Sequence, residues 1–117
     1  MKDFSRADRL SSQIARELSE ILLYYRAVPA NTIITIVEVE MSRDLRVGKV
    51  YYSVYGDDNA AEKADIFFRD HHKQIRSELA GKIRIKFMPE LKFEYDQAIE
   101  RGLRINELLN RIKKDDR

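Results

Sequence analysis

The chain has 117 residues, of which 36% are charged, yet its formal net charge is only +2. That length is one domain's worth and suffices for a single core, burying roughly two-thirds of the surface the unfolded chain exposes. The absence of cysteine excludes disulfides, zinc–thiolate sites and a cysteine nucleophile and fits a reducing cytoplasm, while the small net charge means that any affinity for nucleic acid must come from where the charges sit.

Ser5, with Asp8 three residues on, reads as a helix N-cap with a variant capping box. Leu10, Ile14, Leu18, Ile21, Leu22 and Tyr25 follow at helical spacing, predicting an amphipathic helix of about five turns that ends before Pro29. Residues 32–41 (TIITIVEVEM) are β-branched and predict a strand, with Val37, Val39 and Met41 on one face and Glu38 and Glu40 on the other. A polar turn at 42–45 leads into a second strand over 47–55 (VGKVYYSVY), with Val50, Tyr52 and Val54 opposite Lys49, Tyr51, Ser53 and Tyr55. The short link predicts an antiparallel hairpin. Asn59 with Glu62 forms a second capping signature. The helix it opens carries Ala64, Phe68, His71 or His72, Ile75 and Leu79, and ends at Ala80-Gly81. Residues 82–87 (KIRIKF) alternate Ile83, Ile85 and Phe87 with Lys82, Arg84 and Lys86, as an extended segment or as the frayed end of the helix. Leu91, Phe93 and Tyr95 predict a third strand. Asp96 caps a predicted last helix bearing Ile99, Leu103, Ile105, Leu108, Leu109 and Ile112. The order predicts an α+β domain spanning 1–117, three strands with helices on one face, and frayed ends at 1–4 and 113–117. The charged start MKDFSRADRL lacks a signal-peptide core, and no apolar run approaches the ~20 residues of a membrane span.

The only two histidines, His71 and His72, stand side by side next to Asp70 and Lys73. Neighbours on a helix are turned about 100° apart, so they are poorly placed to share a metal ion, and no nucleophile or oxyanion site accompanies them. One histidine is expected on the apolar stripe and the other at its edge, where with Lys73 it could meet a phosphate. The basic residues are more informative. Between Arg69 and Lys92 seven Lys/Arg face three acids. Arg69, Lys73 and Arg76 recur at helical spacing, and Lys82, Arg84 and Lys86 share one side of an extended chain. A solvated face explains such a run as well as phosphate contact does. Tyr51 and Tyr55 could stack on unpaired bases, though cross-strand packing is the commoner role.

The strings SRADRL, VEVEMSRDLRVGKVYYSVYGDD, IRSEL and MPELKFEYDQAIERGLRINELL resemble the ribosome-binding factor A family over roughly residues 4–110, most specifically in EMSRDLRVGKVY and PELKFEYD. The resemblance implies a KH-like fold of the second type, in the order α-β-β-α(kink)α-β-α. It also implies a non-enzymatic, cofactor-free, cytoplasmic RNA-binding factor linked to cold adaptation. Such a factor binds the free, immature 30S subunit, assists late 16S rRNA processing and is released with a partner GTPase; a monomer without membrane contact is expected. The family commonly bends its middle helix at an Ala-x-Gly. Counting back from Ile75-Arg76, that place holds His71-His72-Lys73 here, without the small residues that ease a kink. With the resemblance, the RNA-contacting set is expected to be Arg6, Arg9, Arg43, Lys49, Arg69, Lys73, Arg76, Lys82, Arg84 and Lys86, with no catalytic or metal-ligating residue. The competing readings are a KH-like protein-interaction module without RNA contact and an enzyme centred on Asp70, His71 and His72.

Overall fold

A computed structural model describes residues 5–96. Helix α1 (Arg6–Tyr24) precedes strands β1 (Thr32–Met41) and β2 (Val47–Gly56), then helix α2 (Ala60–Ala80) and strand β3 (Glu90–Tyr95). The sheet order is β1-β2-β3, with β1 antiparallel and β3 parallel to the central β2. The predicted α+β arrangement is thus present. The last helix predicted from Asp96 lies outside the described residues.

The Ser5–Asp8 capping box at the start of α1 is present in both directions, at 3.1 and 3.2 Å. Such a cap is worth ~1 kcal/mol. Leu10, Ile14, Leu18, Ile21 and Leu22 are all buried, at ~1.5–3 kcal/mol each, so the apolar stripe rather than the cap holds the helix to the sheet. Those residues join Ala64, Phe67, Phe68, Ile75 and Leu79 of α2 and Val39, Val50, Tyr52 and Leu91 of the sheet in one core. Phe68 stacks on Phe93 with centroids 4.3 Å apart and lies 4.6 Å from the Tyr52 ring. Burial, with Asp65 and Tyr95 adding to it, pushes the Tyr52 hydroxyl up to about 12.

Strand β1 departs from simple alternation. Ile34 and Ile36 are half-buried, Val37 is exposed, and Val39 is buried. A register shift between Ile36 and Glu38 marks a β-bulge, which inserts one residue and reverses the phase of everything after it. Val37 therefore does not share a face with Val39, contrary to the expectation from period two.

The start of α2 is also built differently from the expected Asn59–Glu62 cap. Asn59 makes no side-chain cap hydrogen bond. Asp57 instead accepts from the Asn59 N–H at 3.1 Å and from Lys63 Nζ at 2.8 Å, and its carbonyl accepts from the Ala60 N–H. The Lys63 ammonium, with the Asn59 N–H assisting, holds the Asp57 carboxyl below its ordinary range.

The fold class implied by the family resemblance holds, but α2 is one uninterrupted helix of 21 residues where the resemblance implied a helix–kink–helix. Asp70 to Lys73 contain no glycine or proline to break the ladder. His71 is held against Tyr25 and Phe67, which fixes that turn of the helix from outside. The helix stops at Gly81.

Residues 82–89 form neither a strand nor a helical end but a bent connection. Ile83 and Pro89 are buried, Ile85 and Met88 are half-buried, and Phe87 is 75% exposed, so the expected inward set of Ile83, Ile85 and Phe87 is not realised. The connection is tied to α2 by Arg76, whose Nε donates to the Pro89 carbonyl at 2.9 Å and whose guanidinium donates to the Met88 carbonyl at 2.7 Å. The next residue enters the sheet, the Glu90 N–H donating to the Arg46 carbonyl at 2.8 Å.

Two substitutions test these junctions. A Cβ on Gly56 would lie 2.6 Å from the Asn31 carbonyl oxygen and 2.9 Å from the Ala60 Cβ, so Gly56→Ala is expected to destabilise by about 1–3 kcal/mol; an unchanged thermal midpoint would show that the junction of β2, α2 and the lead into β1 spreads freely. Arg76→Ala removes two charge-assisted hydrogen bonds and is expected to cost ~2 kcal/mol. Denaturant unfolding measures it, and Arg76→Lys, which lacks the planar fork, should recover less than half.

Candidate nucleic-acid interface

Three segments distant in sequence meet at one end of the fold. The first turn of α1 brings Arg6, the β1–β2 turn brings Asp44, Leu45 and Arg46, and the connection into β3 brings Ile85, Lys86, Phe87 and Met88. Together they line a cleft of about 650 Å³.

The turn is rigid for local reasons. The Leu45 N–H donates to the Ser42 carbonyl at 3.0 Å, the Ser42 N–H donates to the Val47 carbonyl at 2.9 Å, and the Val47 N–H donates to Ser42 Oγ at 3.0 Å. Ser42 Oγ in turn donates to Asp44 at 2.7 Å, and the Arg46 N–H donates to the same carboxylate at 3.2 Å. The Ser42 hydroxyl, then the Arg46 N–H, hold the Asp44 carboxyl below its ordinary range. Leu45 sits at φ 62°, a left-handed conformation that costs a residue with a Cβ roughly 1–2 kcal/mol. Packing of its side chain against the core offsets that strain and fixes the direction of its neighbour Arg46. The Arg46 guanidinium is 3.9 Å from Asp44 with both side chains largely exposed, a contact of little worth in water, so its donors remain available.

The aromatic in the cleft is Phe87, three-quarters exposed, with Lys86 Nζ 5.6 Å from its ring centroid. Among the described residues three cations thus line the cleft against one carboxylate, and that carboxylate is already engaged by Ser42 and the Arg46 backbone.

The expected RNA-contacting residues are not gathered in one place. Arg6 and Lys86 share this cleft. Arg9 lies one helical turn further along α1, in a shallow depression with Arg16, and Arg43 is exposed on the turn itself. Lys49 lies on the outer face of the sheet, opposite Glu40 on one side and Lys92 on the other. On α2, Arg69 is paired with Asp65 at 2.9 Å, Lys73 is exposed, and Arg76 is committed to the Met88 and Pro89 carbonyls. Lys82, Arg84 and Lys86 do not share a face, because the segment bends: Lys82 lines a different cleft from Lys86. Two residues of the cleft were not foreseen. Arg46 had a signal in the sequence, standing directly after the polar turn and three residues after Arg43. Phe87 had none, since alternation placed it inward.

The second cleft, about 710 Å³, opens between the end of α1 and the later turns of α2. Glu20 and Glu78 oppose Arg26 and Lys82 there, so it has no preference for anions. His71 lies at its side, with Nδ1 3.3 Å from the Tyr25 hydroxyl. Burial, and then Glu78, raise the Tyr25 pKa. His72 is exposed, and its Nδ1–H donates to the Arg69 carbonyl at 3.0 Å. Among the described residues no three His, Cys, Asp or Glu side chains converge on a metal position, and no helix is long and apolar enough to cross a membrane.

Comparison with known proteins agrees with this fold. A family model described as ribosome-binding factor A matches residues 6–109. The ribosome-binding factor A of Nitrosomonas eutropha is 38% identical over 109 residues, covering 93% of each chain. The solution structure of a Thermotoga maritima relative has a TM-score of 0.65 at 26% identity, covering 80% of this chain and 90% of that one. A homology model of the Thermus thermophilus ribosome binding factor A, fitted into a cryo-EM map of a 30S complex, gives a TM-score of 0.60 at 23% identity, covering 76% of this chain and 93% of that one. The chain belongs to the ribosome-binding factor A family.

Proposed function

We propose that this chain docks on the immature 30S subunit, contacts 16S rRNA through its basic surface and assists late maturation of that RNA without chemistry of its own. The observation that carries the reading is the cleft in which Arg6, Arg46 and Lys86 converge beside an exposed aromatic ring. Cations so placed release counterions when they meet a phosphate chain. Support also comes from the 30S complex into which the Thermus relative was fitted. With His71 beside the Tyr25 hydroxyl and the exposed His72 bonded to the Arg69 carbonyl, each histidine has its own partner, which supports the non-catalytic reading. Arg9 and Arg43 extend the phosphate-facing surface beside the cleft, and Lys73 offers a separate exposed cation on α2. The chain acts in the cytoplasm as a monomer and in adaptation to cold, and a partner GTPase supplies the energy for its release.

Salt dependence is the direct test. Three phosphate contacts on single-stranded RNA predict a fall in affinity of about twenty-fold between 50 and 200 mM salt, read by filter binding and, on the subunit, by co-sedimentation with free small subunits. A flat response would sink the phosphate-docking reading. A subunit complex that resists nuclease treatment would point instead to docking on ribosomal protein.

A further inference from the structure

We propose that Phe87 is a stacking platform for one unpaired RNA base, with Lys86, Arg46 and Arg6 holding the phosphates on either side, so that the cleft selects single-stranded over duplex RNA. This deepens the functional reading above and rests on it.

Four observations lead there. The Phe87 ring is 75% exposed, although a phenylalanine gains ~1.5–3 kcal/mol by being buried and its neighbours Ile85 and Met88 do turn towards the core. The ring is held out by its surroundings: Pro89 is fully buried, and Arg76 grips the carbonyls of Met88 and Pro89, so the platform is pre-organised. Lys86 Nζ stands over one face of the ring, 5.6 Å from its centroid, so the other face of this three-quarters exposed residue is the one offered to a base, with a positive charge close by. Arg46 and Arg6 line the same cleft, and Asp44, its one carboxylate among the described residues, is already hydrogen-bonded by Ser42 and the Arg46 N–H. An aromatic face flanked by cations is the combination that binds single strands, since every base offers a π-face but only an unpaired one is free to stack. A duplex presents its phosphates to the cations and nothing to the ring.

The chain contains no tryptophan, so Phe87→Trp installs a single reporter. Its fluorescence is expected to be quenched at saturation with a single-stranded RNA of mixed sequence and to stay nearly unchanged with duplex RNA of equal length. Phe87→Ala is expected to weaken single-strand binding about ten-fold, leaving duplex binding and the steepness of the salt response as in the parent. Arg46→Gln should instead reduce that steepness for both RNAs. Thermal unfolding should match the parent for all three variants, because both side chains are exposed. Unchanged single-strand affinity in Phe87→Ala with no quenching in Phe87→Trp overturns the stacking proposal, even where the parent binds RNA and small subunits. Absence of RNA and subunit binding by the parent overturns the functional reading and this proposal together. Equal binding of an acidic polypeptide such as polyglutamate, insensitive to Phe87→Ala, also overturns it, since the cleft would then be a docking site for acidic protein.

Discussion

A single guanidinium joins the two halves of this fold. Arg76, on the helix between β2 and β3, donates to the carbonyls of Met88 and Pro89, the two residues that deliver the chain into the third strand. A parallel strand cannot be reached by a tight turn. The chain must return along a crossover, and its last stretch before the ladder leaves carbonyls without sheet partners. Unsatisfied carbonyls in that half-buried setting would each cost about 1–3 kcal/mol. Arg76 satisfies both, and in doing so sets where Glu90 meets Arg46, hence the register of β3 against β2.

The same tie connects architecture to the candidate interface. The cleft draws on the start of α1, the β1–β2 turn and the approach to β3, segments placed independently by a capping box, a left-handed leucine and an arginine clamp. None of these contributes a functional group alone, but each removes a degree of freedom from a side chain that does. A cation on a fixed backbone loses less freedom on meeting a phosphate than one on a mobile loop, and the left-handed Leu45, held by its packing on the core, gives Arg46 such a backbone. The charge balance of the two clefts, counted over the described residues, sets them apart. One has cations in excess, whereas in the other two acids oppose two cations.

Much of this was readable from the residues. The α1 stripe from Leu10 to Leu22, the alternation of β2 and β3, and the Ser5–Asp8 cap are each written in local spacing, and the structure keeps them. What was not readable involves distance in sequence or a break in phase. Period two cannot announce a bulge, so Val37 looked inward until the register shift turned it out. Asn59 and Glu62 have the spacing of a cap, but Asp57 reaches the same N–H with a better partner in Lys63. Residues 82–87 alternate like a strand, yet they pair with none of the three strands and bend instead, scattering Lys82 from Lys86 and exposing Phe87. Arg76 read as one of a surface stripe with Arg69 and Lys73, because its carbonyl partners lie more than ten residues away. The family resemblance placed the fold correctly and implied a helix–kink–helix where α2 is one continuous run of 21 helical residues.

An unbroken α2 has a mechanical meaning. Twenty-one residues make a rod about 30 Å long, anchored at its start by the Asp57–Lys63 clasp and near its end by Arg76. A helix with a kink absorbs a push by flexing at the joint. A helix without such a joint holds its two ends at a set separation. One end of α2 sits in the crowded corner where Gly56, Asn31 and Ala60 come together, and the other carries the Arg76 clamp on the connection that bears Phe87. A single run of helix thus ties that corner to the approach to the cleft.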